Sequence, residues 1–241
     1  MTRSATILLV LVLAATGAVA QTPSARKTTK KPATTAKTTP SMPRTVAAPA
    51  NVTCPHVLGT GVGSKLQFCD VLAGRSPAEG VLVNLPPHKG ILTLSFDLHN
   101  RHTYSEQLVK AGRGYTSYTA TIGVLTPDGT LLARGVVRSE FRSAKDLLDR
   151  IAGGAGPGGV KAVAPTGTER ITVDVPEDVT KVSVLGEKLT AVTLDTTETY
   201  SAAQRPIAVV SNLNVEYQPV AKPPVKRPAK PPAKKKPAAK K

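Results

Sequence analysis

The sequence predicts an all-β protein, an antiparallel β-sandwich of jelly-roll or immunoglobulin-like type with one short helix, flanked by disordered basic tails. Three observations lead there. In residues 90–98, Leu92, Leu94, Phe96 and Leu98 share one parity and Thr93, Ser95 and Asp97 the other. That period of two puts the apolar set on one face of a half-buried strand. Similar short runs recur at roughly ten-residue spacing, punctuated by Gly and Pro, as in sandwiches and barrels. Finally, Thr126-Pro127-Asp128-Gly129 separates two alternating runs, 115–125 and 130–139. Pro presets φ and Gly supplies a positive φ, so the two runs form a hairpin.

The chain starts with a processing signal, residues 1–20. Arg3 gives a short positive region, residues 5–15 an apolar run, and Ala18-Val19-Ala20 a small-x-small cleavage site. A run of this length is too short to cross the roughly 30 Å hydrocarbon core as a helix. No later run is long enough either, so no transmembrane segment is expected once the signal is removed. Export, to a periplasm or the extracellular space, follows. In an oxidising compartment the two cysteines, Cys54 and Cys69, should join as a disulfide.

Residues 21–50, rich in Thr, Lys, Pro and Ala, contain no aromatic residue and no apolar period. Such a linker cannot bury enough apolar surface to offset its conformational entropy. Asn51-Val52-Thr53 matches the N-glycosylation acceptor pattern. The folded domain is expected over residues 51–217. Its first strand, 65–72, would turn Leu66 and Phe68 inward and Cys69 outward. The next, 79–85, would bury Val81, Val83 and Leu85, before Pro86-Pro87 turns the chain into the strand at 90–98.

After the hairpin, Ser143 with Asp146 reads as a helix start, with Leu147, Leu148 and Ile151 on one stripe. The glycine-rich run 153–159 follows that helix and carries no Lys-Ser/Thr pair, so it is a linker and not a phosphate-binding loop. Strands resume at 160–164, 169–175, 180–186 and 188–195. The last, 206–217, places Ile207, Val209, Leu213 and Val215 on one parity. Residues 218–241 form a Lys/Pro/Ala tail suited to an extended polyproline II chain.

Charge is partitioned along the chain. All sixteen Asp and Glu lie in residues 51–217, opposite sixteen Lys and Arg, while residues 21–50 hold six cations and 218–241 hold nine with no acid. A neutral body therefore carries two cationic ends. The tail cations Lys222, Lys226, Arg227, Lys230, Lys234, Lys235, Lys236, Lys240 and Lys241 are the predicted polyanion-binding set. Export points away from intracellular nucleic acid, and toward anionic surface glycans, wall polymers or lipid headgroups. The sandwich itself could face a protein partner.

Signatures of catalysis are missing: the sequence holds no G-x-S-x-G, H-E-x-x-H, Walker loop or EF-hand loop. This weighs toward a binding or structural module with no cofactor. One constellation offers chemistry, Asp97, His99 and His102 at a strand end, whose carboxylate and imidazoles suit a divalent metal. The alternative is a carbohydrate-active protein, either a glycan-binding module or a glycan hydrolase. With no Trp in the chain, its aromatic surface would come from Tyr104, Tyr115, Tyr118 or Tyr200.

Overall fold

A computed structural model describes residues 44–152 and 160–220, with the side chains of 160–162 excepted. Two antiparallel sheets pack face to face. The first contains β1 (Val46–Pro49), β3 (Val57–Thr60), β4 (Gln67–Leu72), β6 (His88–Ser105), β9 (Val160–Val175) and β12 (Pro206–Pro219). Its order is β3-β4-β12-β6-β9, with β1 on the same edge of β12 as β4. The second contains β2 (Asn51–Thr53), β5 (Val81–Asn84), β7 (Thr116–Leu125), β8 (Leu131–Phe141), β10 (Lys181–Thr193) and β11 (Thr197–Tyr200). Its order is β2-β5-β10-β7-β8, with β11 on the edge of β10 that β5 also uses.

The core lies between the sheets. Leu92, Leu94, Phe96 and Leu98 of β6 are fully buried there, against Val81 and Val83 of β5, Ile122 and Val124 of β7, and Val182 and Val184 of β10. Alternation in β6 therefore reads as the sequence predicts. The hairpin at 126–129 also forms. The Thr126 hydroxyl donates to the Asp128 carboxylate and accepts from the Thr130 N–H, and Gly129 takes a φ of 88°.

Strands are longer than the sequence suggests, because glycines that looked like breaks are bulges. The runs 160–164 and 169–175 are one strand, β9, whose register with β6 slips around Gly167 at φ 64°. A side chain at Gly167 would stand 2.6 Å from Ser139 Cβ, so the close approach also favours glycine. Likewise 180–186 and 188–195 merge into β10 across a slip between Gly186 and Lys188. In β12 the register slips between Pro206 and Ala208 and again at a bulge at Asn212, with φ 53°, and the two break the predicted parity. Val209 consequently faces out of the sandwich, while Ile207, Val210 and Val215 face in.

The short helix is also elsewhere. Ser143 and Asp146 form the capping box, but only a 3-10 turn follows, over Ala144–Asp146. Leu147 and Ile151 then make isolated bridges to Thr166 and Gly61, so the segment is an extended strap. The α-helix is α1 (Glu106–Lys110), capped by the Ser105 side chain. The strap covers the outer face of the first sheet with a second, smaller cluster of Phe68, Val209 and Ile151, with Leu58 and Leu66 against it. Leu66 and Phe68 thus pair as expected but face away from the main core, and Cys69 and Val71 face into it. Ordered structure also begins earlier than residue 51, because β1 pairs Val46 with Tyr217.

Candidate functional site

The Cys54–Cys69 disulfide forms, with Cα atoms 5.7 Å apart. It clamps the chain before β3 onto β4, and the Asp70 N–H donates to the His56 carbonyl at 3.0 Å. His56 Nδ1 in turn lies 2.6 Å from Asp70 Oδ2. Asp70 is fully buried on the outer face of the sheet, and its other oxygen lies 2.9 Å from Arg101 Nε of β6. Those two atoms lack the alignment of a hydrogen bond, so the contact is an ion pair. Burial pushes the Asp70 carboxyl above its ordinary range, against the opposing pull of Arg101 and His56.

Arg101 also reaches the wall of an open cleft of about 340 Å³ at one end of the sandwich. Thr103, Thr116, Thr193 and Thr196 contribute hydroxyls to it, and Glu198, Arg205, Tyr118 and Tyr200 complete its polar lining. Arg205 lies over the Tyr200 ring at 3.5 Å, a cation–π stack that orients the guanidinium. The Tyr118 hydroxyl is 2.7 Å from His102 Nδ1. Burial raises the Tyr118 pKa, partly offset by a hydrogen bond with Thr116.

The three residues predicted as metal ligands are not brought together. Asp97 and His99 lie on the outer face of β6, and His102 on the inner face. Asp97 accepts from Arg170 Nη1 at 2.9 Å and from Asn212 Nδ2 at 2.8 Å, fastening the β12 bulge to the sheet. His99 Nδ1 is 2.8 Å from the Gly167 carbonyl, which can only accept, so Nδ1 carries the proton. Its Nε2 then accepts from the Ser211 hydroxyl at 2.9 Å. Neither ring nitrogen keeps a lone pair for a metal. His99 holds the β9 bulge as Asp97 holds the β12 bulge, and burial lowers its pKa.

His102 stacks on Phe141 with ring centroids 3.7 Å apart, and burial lowers its pKa to about 4. Among the described residues no group of three or more His, Cys, Asp or Glu is arranged to hold a metal.

Asp149 of the strap accepts from the Gly63 and Ser64 N–H groups at 2.9 and 2.7 Å, and from the Ser64 hydroxyl. Burial would raise its pKa, but those bonds outweigh it and hold the carboxyl at about 2. This contact closes the strap onto the loop after β3 and offers no open coordination position. The tail cations Lys222, Lys226, Arg227, Lys230, Lys234, Lys235, Lys236, Lys240 and Lys241 lie outside the described residues.

Sequence reasoning missed Arg205 and Glu198, which sit in a turn and a short edge strand with no distinguishing period. Arg101 was within sight, inside the run from Asp97 to His102, but nothing local reveals its buried partner Asp70.

No family model and no curated protein matches this chain. Among solved structures it is similar to the infectious bursal disease virus VP2 subviral particle, at 14% identity and a TM-score of 0.21. That alignment covers 72% of this chain and 32% of the other, so the chain spans about a third of that protein's length. So low a score decides nothing about function.

Proposed function

We propose that the chain is an exported, non-catalytic module whose neutral sandwich is held to anionic envelope or extracellular polymers by its cationic terminal segments. The observation that carries this reading is the partition of charge, sixteen cations against sixteen acids in residues 51–217 and nine cations without an acid in 218–241. Residues 1–20 are its export signal, the Thr/Lys/Pro/Ala-rich stretch before β1 its linker, β1 to β12 its domain and the Lys/Pro/Ala-rich residues after β12 its polyanion-binding tail. The disulfide supports an oxidising destination, periplasmic or extracellular. The winding supports the jelly-roll form of sandwich. From β4 to β12 the chain crosses between sheets at each step except β7 to β8 and β10 to β11.

Counterion release makes such binding fall steeply with salt. Deleting residues 218–241 should therefore lower the salt at which the protein elutes from a heparin-like matrix. Elution of the deleted and full-length proteins at the same salt would overturn the tail's role.

A second reading, a glycan-binding module, is favoured by the polar cleft. Its lining of hydroxyls, guanidinium groups, a carboxylate and two tyrosines suits a polyhydroxylated ligand.

A further inference from the structure

We propose that the cleft between Arg101 and Arg205 binds a carboxylated sugar, a uronate unit of an acidic glycan. The inference rests on the glycan-binding reading and names the ligand class of that site. The Arg101 guanidinium is held at its Nε by Asp70, which is buried and bonded a second time by His56. No side chain among the described residues takes its Nη atoms, so the outer fork remains for a ligand. Arg205 is fixed by stacking on Tyr200, and no carboxylate among the described residues pairs with it. Its in-plane N–H groups are oriented and unopposed. Planar donor forks of this kind match a carboxylate, which can accept two parallel bonds.

The rest of the lining narrows the ligand further. Arg205 occupies one face of the Tyr200 ring, and the Tyr118 hydroxyl is already engaged by His102. Polar recognition then falls to the two arginines, Glu198 and the Thr103 hydroxyl, since Thr193 bonds Thr196 and Thr116 bonds Tyr118. Glu198 can accept from a sugar hydroxyl but repels a dense anion. Two arginines with one glutamate therefore favour one carboxylate per sugar over a polyphosphate or a heavily sulfated chain. A cleft of about 340 Å³ lies at the small end of ligand sites and suits a short stretch of sugar.

The test is calorimetric titration of the full-length protein with trigalacturonate and with its methyl ester, which keeps the skeleton and removes the charge. Trigalacturonate should bind at least ten times more tightly than the ester. Arg205→Gln should lower that affinity at least tenfold, and Arg205→Lys should restore only part of it, since an ammonium lacks the planar fork. Thr103→Val, a nearly isosteric change outside the core, should weaken both probes alike. Equal affinity for acid and ester would overturn the proposal, as would failure of trigalacturonate to bind. Unchanged trigalacturonate binding in Arg205→Gln would place the contact on the terminal cations and overturn it too. The heparin elution of full-length protein is read separately, so loss of the cleft proposal leaves the tail's role standing or falling on its own result.

Discussion

The two faces of β6 carry different kinds of order. Its inner face is a row of Leu92, Leu94, Phe96 and Leu98, completely buried and held by packing alone. Its outer face carries Asp97, His99 and Arg101, each tied to a named polar partner on another strand of the same sheet. Packing is non-directional and fixes how close the sheets lie. The polar ties are directional, and those of Asp97 and His99 stand where the strands depart from regular register. The inner face thus supplies stability, and the outer face fixes irregularities that alternation cannot.

The comparison breaks most sharply at the inner face. Phe96→Ala should cost about 3–5 kcal/mol, the range for emptying a buried aromatic site, read as a fall in the urea midpoint with unchanged slope. A loss under about 1 kcal/mol would mean that the core collapses around the cavity, outside that range.

Beyond the aliphatic row, the inner face turns polar at Asn100 and His102, and pH separates the two kinds of burial. Burial lowers the His102 pKa from 6.5 to about 4, so the unfolded chain takes up its proton first as pH falls. Stability is present in full above pH 6.5 and is lost progressively down to about 4, by about 3 kcal/mol from this group. His99 acts in the same sense. Asp70, raised by burial, acts in the opposite sense at the acid end of that window. Unfolding midpoints measured from pH 7 to 4.5 should fall, and His102→Phe, which keeps the stack on Phe141, should flatten the slope. A variant as steep as the parent would assign the proton uptake elsewhere.

Smallest of all should be Asp97→Ala, at about 1 kcal/mol, since its partner Arg170 is 41% exposed and screened by water. Its visible effect should be local: faster amide exchange around Asn212, the bulge that Asp97 fastens. Uniform change across β12 would show that the bulge does not depend on that carboxylate.

This division also explains what could be read in the sequence. Alternation revealed the core strands and the hairpin because a period of two is a local property. Bulges defeat it: Asn212 and Gly167 each insert a residue, and the face of Val209 could not be assigned by counting. The strap at 143–152 spaces its apolar residues like a helix, yet Leu147 and Ile151 pair with distant strands instead. Tertiary pairing overrode the local period. Asp97, His99 and His102 looked like one site because they are close in sequence, but parity separates His102 from the other two. Of the cleft only Tyr118 and Tyr200 stood among the candidate aromatics, since Arg101, Glu198 and Arg205 meet only through the winding of the two sheets.

One consequence concerns orientation at a surface. The first and last strands enter and leave at one corner, where Val46 pairs with Tyr217, while the cleft borders Pro206 at the other end of β12. At the usual rise per residue those points are roughly 35 Å apart along the strand. A matrix held by the chain on either side of that corner would load the sandwich at one end only. Its cleft, bordered by Pro206, would then open at the end turned away from that load.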